Sequence, residues 1–183
     1  IIDGNIQQEP DNLPRPGAKP VFDSRPPNVP DGAMLQHFKG VEIKAAQPCF
    51  SPDTAILMDF RCDQSRGIHF IYLLPYSPTE ALVESTMLSP KRQNDEFYAE
   101  AIKTYLETYW ATGGWQINHT EQGCIPMAFV QPANPDYLPI GANGGCVRPS
   151  SGYAFAFIQK HTDAIVDRLV LSSPDHLTPA TMP

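Results

Sequence analysis

The sequence has no long hydrophobic run. Nothing in it approaches the roughly 18–20 consecutive apolar residues that a membrane-spanning helix needs. Basic charge is scarce as well: thirteen Lys and Arg stand against twenty Asp and Glu, for a net charge of -7. The clustered positive surface that a phosphate backbone requires is missing, which argues against nucleic acid as a partner. Cysteine is limited to four residues. Cys49, Cys62, Cys124 and Cys146 form no CxxC pair and have no His at metal-ligand spacing, which argues against structural zinc. A chain this apolar does not need a disulfide scaffold, so they read as free thiols in a reducing compartment. An initiator Met, a signal peptide and a charged leader are also lacking. The opening Ile1-Ile2-Asp3-Gly4 reads as a strand end entering a turn, as if the chain began mid-fold.

What the sequence has in excess is proline. Twenty of 183 residues are Pro, clustered at 10–30, 48–52, 75–90, 126–139 and 174–183. Proline breaks helices and is expelled from central strands, so these clusters mark loops. With 42% hydrophobic residues, nine Phe and seven Tyr, the composition is globular. It suffices for one core, or for one domain plus part of a second.

Residues 5–34 are polar and Pro-rich and read as a long loop. Residues 35–46 (LQHFKGVEIKAA) read as a strand. Residues 54–62 (TAILMDFRC) alternate, with Ile56, Met58 and Phe60 on one face. Residues 68–74 (IHFIYLL) are apolar on both sides and read as a buried strand. Residues 80–88 (EALVESTML) follow as another strand, and the short links suggest an antiparallel meander. Residues 95–111 carry the clearest helix pattern. Asn94 or Asp95 is placed to cap it, Phe97, Ala101, Ile102, Tyr105, Leu106 and Tyr109 form its apolar stripe, and Gly113-Gly114 is the expected stop. Residues 115–121 read as a strand, followed by an apolar loop around Ile125, Pro126 and Met127. A Gly-rich turn after Ile140 leads to a second helix from about Gly152 to Leu171, and the last twelve residues read as frayed.

Three local features carry chemistry. In residues 140–159 (IGANGGCVRPSSGYAFAFIQ) an apolar strand end runs into glycines, and Pro-Ser-Ser-Gly then opens a helix. Glycines allow close backbone approach, and a helix N-terminus offers unpaired N–H groups. The stretch reads as a ligand cradle or as a plain strand-to-helix turn. Glu84 falls within an apolar strand pattern, sharing a face with Leu82, Thr86 and Leu88. It is either a carboxyl with a raised pKa, suited to donating a proton, or a strand-edge carboxylate paired with a base. Asp59 and Arg61, two apart, read as an ion pair or as part of a site. Phe70, Tyr72, Tyr76 and Trp115 are either pocket aromatics or ordinary core. The five histidines, 37, 69, 119, 161 and 176, lie scattered, with no Ser or Cys nucleophile beside them in sequence.

Taken together, LMDFR (57–61), FIYLLPYSPTEALVEST (70–86), GCIPM (123–127) and IGANGGCVRPSSGYAF (140–155) resemble the lycopene cyclase family. The likeness runs from about residue 35 to 170. It implies an α/β fold, part of a two-domain FAD-dependent Rossmann-like flavoprotein with a mostly antiparallel substrate-domain sheet. Residues 1–34 would then hold the end of an FAD-domain strand and a loop. Residues 35–131 would form the substrate sheet, and 132–183 would return to the FAD domain.

The family's acidic motif falls on Leu82-Val83-Glu84-Ser85-Thr86, so the resemblance implies Glu84 as the catalytic carboxyl. Ser85 stands where the family has a second acid. The family's Pro-x-Thr/Ser-Gly-Tyr turn implies flavin contacts at Gly141, Gly144, Gly145, Pro149, Ser151, Gly152 and Tyr153. A substrate pocket would include Asp59, Arg61, Phe70, Tyr72, Tyr76, Ile125, Pro126 and Met127. The activity implied is closure of the end rings of lycopene, without net redox change, on an enzyme holding reduced FAD with NADPH as reductant. Peripheral contact with a membrane surface is implied too, in a bacterial cytoplasm, or in a plastid if the source is a plant or alga. The family's GxGxxG segment is not in this stretch, so the chain alone is expected to hold FAD poorly and to be inactive. Two other readings remain open here: a redox flavoenzyme, either a hydroxylase or a prenyl-chain reductase, and a non-catalytic carrier of apolar ligands.

Overall fold

The computed structural model describes residues 20–171. The expected strand end at Ile1–Gly4, His176 and the expected frayed tail lie outside the described residues. In chain order the elements are β1 (Phe22–Asp23), β2 (Leu35–Ala45), β3 (Ile56–Asp59), β4 (Ile68–Pro75) and β5 (Glu80–Ser89). After these come α1 (Asp95–Tyr109), β6 (Trp115–Pro126), β7 (Leu138–Pro139) and α2 (Phe155–Leu171). The architecture is mixed α/β. Two compact units divide it: one takes in Pro30–Ala128 and Pro149–Gly152, the other the described residues within Ile1–Val29, Phe129–Arg148 and Tyr153–Pro183.

The first unit is built on a five-stranded sheet of order β3-β4-β5-β2-β6, antiparallel throughout. Directly opposed residues of neighbouring strands share a face, so the register sorts the side chains into two sets. On one face Val41, Ile43, Ile71, Leu73, Ala81 and Val83 pack against Ile102, Tyr105 and Leu106 of α1. Each such aliphatic side chain contributes roughly 1.5–3 kcal/mol relative to an exposed one. This is the helix face, and it holds the core. The opposite face carries Leu82, Glu84, Thr86 and Leu88 of β5, opposed to Phe70, Tyr72 and Leu74 of β4.

α1 begins where expected. Asn94 caps it, its Oδ1 accepting the Phe97 N–H at 3.2 Å. The helix ends at Tyr109 rather than at Gly113-Gly114, because Trp110 turns to an extended conformation and its N–H closes on the Leu106 carbonyl. Its buried stripe includes Tyr98, while Tyr109 is exposed.

Two strands depart from the expected pattern. β3 is only four residues long, and its register with β4 shifts between Ile56 and Asp59. Met58 takes a φ of 53°, a left-handed conformation that a strand cannot propagate. The expected Ile56-Met58-Phe60 face therefore does not form. β6 runs through to Pro126, so Ile125 and Pro126 are strand residues paired with Gln36 and Leu35, not a loop. Pro126 is tolerated because β6 is an edge strand.

In the second unit the part of the expected loop that is described carries β1, which pairs in parallel with β7. A turn over residues 141–145 follows. α2 starts at Phe155, later than expected, because Gly152 takes a φ of 72° and a left-handed residue cannot sit inside a right-handed helix. Among the described residues no helix is long and apolar enough to cross a membrane.

Candidate functional site

Glu84 sits mid-strand on β5, opposite Tyr72 of β4 and Gly40 of β2. Its neighbours on that face are Leu82 and Thr86 along the strand, with Phe70, Leu74, Phe38 and Glu42 one row away, so most are apolar or aromatic. The Phe70 and Tyr72 rings meet edge to face at 5.2 Å, and Phe60 joins Phe70 at 5.6 Å. The carboxyl is half-buried. Burial pushes its pKa up, and the nearby Glu121 carboxyl adds to the rise. The hydroxyl of Thr86, donating to Oε1, opposes it. Among the described residues no Lys or Arg pairs with Glu84. A carboxyl set among mostly apolar side chains and biased toward its neutral form is suited to giving a proton.

The face is shaped by two side chains that lie across neighbouring strands. A Cβ on Gly123 would come within 2.5 Å of the Phe38 ring, so the ring covers β6 because residue 123 has no side chain. The Glu121 carboxyl lies over Gly40 in the same way, 2.9 Å from where a Cβ would stand. Gly40, Glu121, Phe38 and Phe60 were not expected from the sequence. They come together only through strand register, which no local pattern states.

The expected pocket residues divide between the faces. Phe70, Tyr72 and Ile125 lie on the Glu84 face. Tyr76, beyond the end of β4, is exposed at 56%. Its pKa is raised by burial, then by Glu42 and Glu121. Asp59 and Arg61 do not join Glu84. Asp59 is opposed to Ile71 on the helix face, accepts from Arg61 Nη2 at 2.6 Å and from the Tyr105 hydroxyl at 2.7 Å, and is held well below the usual carboxylate range by them. Arg61 lies 4.2 Å from the Tyr109 ring and borders a separate cavity of about 510 Å³ beside α1. Pro126 pairs with Leu35 and is on the helix face, as is Trp115, which packs on the core. Met127 continues from β6, its N–H bonded to the Met34 carbonyl.

Ser85, in the position next to Glu84, points the other way and is fully buried. His69 Nδ1 lies 2.9 Å from the Asp63 carbonyl, which can only accept, so Nδ1 carries the proton and Nε2 accepts from Ser85 Oγ at 2.8 Å. Burial lowers the His69 pKa. A parallel chain runs from Tyr98 to His37 and on to Ser89, at 2.7 and 2.9 Å. Both histidines are satisfied and structural.

The Gly-rich turn is built into the other unit. Gly141 and Gly145 take φ values of 60° and 77°, and nothing lies within 4 Å of where their Cβ atoms would be. Gly144 differs: its Cβ position would meet the Pro139 carbonyl at 2.8 Å and His161 at 3.0 Å, so it serves packing and is not an open contact. Asn143 is buried and holds the turn, donating to the Asp23 carbonyl at 3.1 Å and accepting the Ala133 N–H at 2.8 Å. Cys146 Sγ and His161 Nδ1 meet at 3.3 Å beneath the turn. After it, Tyr153 accepts the Arg148 N–H at 2.9 Å, while Pro149 is half-buried and Ser151 exposed. α2 has no acidic residue in its first turn, so the positive end of its dipole is not offset locally. Within the sheet unit, to which Pro149–Gly152 belongs, Gly152 closes on Gln36, whose amide oxygen lies 2.5 Å from the Cβ position. Gln36 is opposed to Leu88 on the Glu84 face. Four residues of strand separate Leu88 from Glu84, about 13 Å.

The family model described as lycopene cyclase protein matches residues 11–182. The chain belongs to the lycopene cyclase family. Among curated members, the lycopene beta-cyclase of Paracoccus sp. (strain N81106 / MBIC 01143) is 30% identical over 140 residues, covering 72% of this chain and 35% of that protein. The lycopene beta-cyclase of Pantoea ananas is 30% identical over 176 residues, covering 91% and 44% respectively. The chain thus spans less than half the length of these lycopene cyclases. A solved structure with a similar fold is a geranylgeranyl bacteriochlorophyll reductase-like protein from Thermoplasma acidophilum. Its TM-score is 0.55 and its identity 14%, over 80% of this chain and 36% of that one. That likeness is of fold alone.

Proposed function

We propose that this chain supplies the acid-bearing part of a lycopene cyclase, and that Glu84 is the acid. The observation that carries the reading is a half-buried carboxyl, without a basic partner among the described residues, set mid-strand beside aromatic and aliphatic side chains. Family membership directs that chemistry to an acyclic carotenoid, with beta-type rings as in the named relatives. An apolar polyene has no group to hydrogen-bond, so its binding rests on burial against side chains such as Phe70, Leu82 and Leu88.

In the proposed reaction Glu84 gives its proton to a terminal double bond, forming a C–H bond and a tertiary carbocation. The next double bond attacks the cation, a ring C–C bond forms, and loss of a ring proton restores neutrality. One proton enters and one leaves, so the product is an isomer of the substrate. The Tyr72 ring, directly opposite Glu84, offers a π-face to the cation.

The residues around the Gly-rich turn fit a flavin: Gly141 and Gly145 leave open the space a Cβ would fill, and the start of α2 favours negative charge. Gly141, Gly145 and Tyr153 of that unit would hold FAD there. Reduced FAD, when bound, supplies negative charge that stabilises a nearby cation in a dry site. NADPH as the reductant, and peripheral attachment of the enzyme to the membrane that dissolves its substrate, belong to the same proposal.

The test is Glu84→Gln in the full-length protein, assayed on lycopene with the flavin kept reduced. Cyclisation is expected to fall by roughly 10²–10⁴-fold with flavin content unchanged. Near-normal activity at normal flavin content would remove Glu84 from the mechanism.

A further inference from the structure

The Glu84 row continues beyond its own strand. Tyr72, Glu84, Gly40 and Glu121 are opposed in one line across β4, β5, β2 and β6. Neighbouring strands lie about 4.8 Å apart, so the Glu84 and Glu121 backbones are separated by about 10 Å with one residue between them. That residue is glycine. A Cβ on Gly40 would stand 2.9 Å from Glu121 Oε1 and 3.0 Å from its Cγ, so the Glu121 side chain lies inward over β2, toward Glu84, in space that any other residue would fill. Nothing in the backbone asks for glycine here, since Gly40 is absent from the positive-φ positions. The side chain it omits is what matters.

Resting on the reading of Glu84 as the acid, we infer that Glu121 is a positioning residue of the same site. Its carboxylate, seated in the Gly40 gap, acts through Glu84 to keep a proton on it between turnovers. Two carboxylates within reach of each other on an apolar surface do not ionise together readily. The half-buried partner, Glu84, is the one that retains the proton. The upward shift at Glu84, for which Glu121 is a cause after burial, agrees with this. Other groups on this face do not cancel the effect. Lys44 of β2 is engaged by Glu80 of β5 at 3.6 Å. Glu42 of β2 adds negative charge. His119 of β6 is exposed and opposed to Glu42. Tyr72 of β4 and Thr86 of β5 are neutral.

The test uses the full-length protein with reduced flavin and two variants. Glu121→Gln removes the charge. Gly40→Ala leaves it in place but displaces the carboxyl, a cheap move because the atoms that meet the new Cβ belong to flexible side chains. In both, the alkaline limb of the pH–rate profile is expected to move toward acid, so that activity just above the limb falls relative to the acid plateau. A second readout needs no turnover: the carboxylic C=O infrared band that Glu84→Gln abolishes should titrate at lower pH in Glu121→Gln. If Glu84→Gln is inactive and both the limb and the band stay where they are in Glu121→Gln, the inference on Glu121 fails alone. If Glu84→Gln retains activity, the acid assignment and this inference fall together.

Discussion

Glu84 and Asp59 stand on opposite faces of one sheet, and their pKa values shift in opposite directions for reasons that can be read from their surroundings. Asp59 accepts from Arg61 and Tyr105, so its folded pKa lies below the unfolded value near 3.9. The stability it contributes is therefore present above about pH 4 and lost as pH falls through the folded value. Asp59→Asn is expected to lower unfolding free energy by roughly 1–3 kcal/mol at pH 7, since hydrogen bonds to a charged group are broken. The deficit should shrink toward pH 2, as denaturant melts at both pH values would show. Glu84 has the reverse sign. Its folded pKa is raised, so its ionised form costs stability above the unfolded value and most of all above the folded one. Glu84→Gln should therefore raise Tm at pH 8, and leave it nearly unchanged at pH 4, even as it removes activity. A lower Tm at pH 8 would contradict the assigned environment. Alternation along LVEST is enough to place Glu84 and Ser85 on opposite faces, and the structure has Ser85 donating to a buried His69. Where the family resemblance implied a second acid, this chain keeps a neutral hydrogen bond. The roles of Gly40 and Glu121 were not legible, because each depends on a residue more than forty positions away.

At the scale of elements, patterns that depend on near neighbours were legible, and those that depend on distant ones were not. α1 follows from its Asn94 cap and its 3.6-residue apolar stripe. The cap is worth about 1 kcal/mol, so Asn94→Ala should lower unfolding free energy by about that amount in a denaturant melt. No change would mean that tertiary packing alone sets the start of the helix. Its end was misplaced because Trp110, a residue with no helix-stopping chemistry of its own, turns extended to pack its ring against Phe50. β3 was overextended because alternation in TAILMDFRC hides the left-handed turn at Met58, which delivers Asp59 to Tyr105 across the helix face. β6 was cut short because Pro126 reads as a breaker, although an edge strand accepts it. These misplacements sorted the expected pocket incorrectly: Asp59, Arg61, Pro126 and Trp115 belong with the helix face, while Phe70, Tyr72 and Ile125 stay with Glu84.

At the scale of the molecule, a fold shared with a reductase-like protein does not select a reaction, because similar folds host different chemistries. What we propose selects it here is a sheet with two unlike faces. One buries a conventional core under α1. The other carries aromatic rings, aliphatic side chains and a carboxyl biased toward its acid form, with the Pro149–Gly152 turn closing on Gln36 at one end. The order of the motifs identified the family. The decisive measurement is the isotopic mass of the product made by the full-length enzyme in D₂O with reduced flavin. The account predicts one non-exchangeable deuterium per ring, no net gain of hydrogen atoms, and loss of the labelled product in Glu84→Gln. A product enriched by two hydrogens, or label delivered normally by the variant, would contradict it.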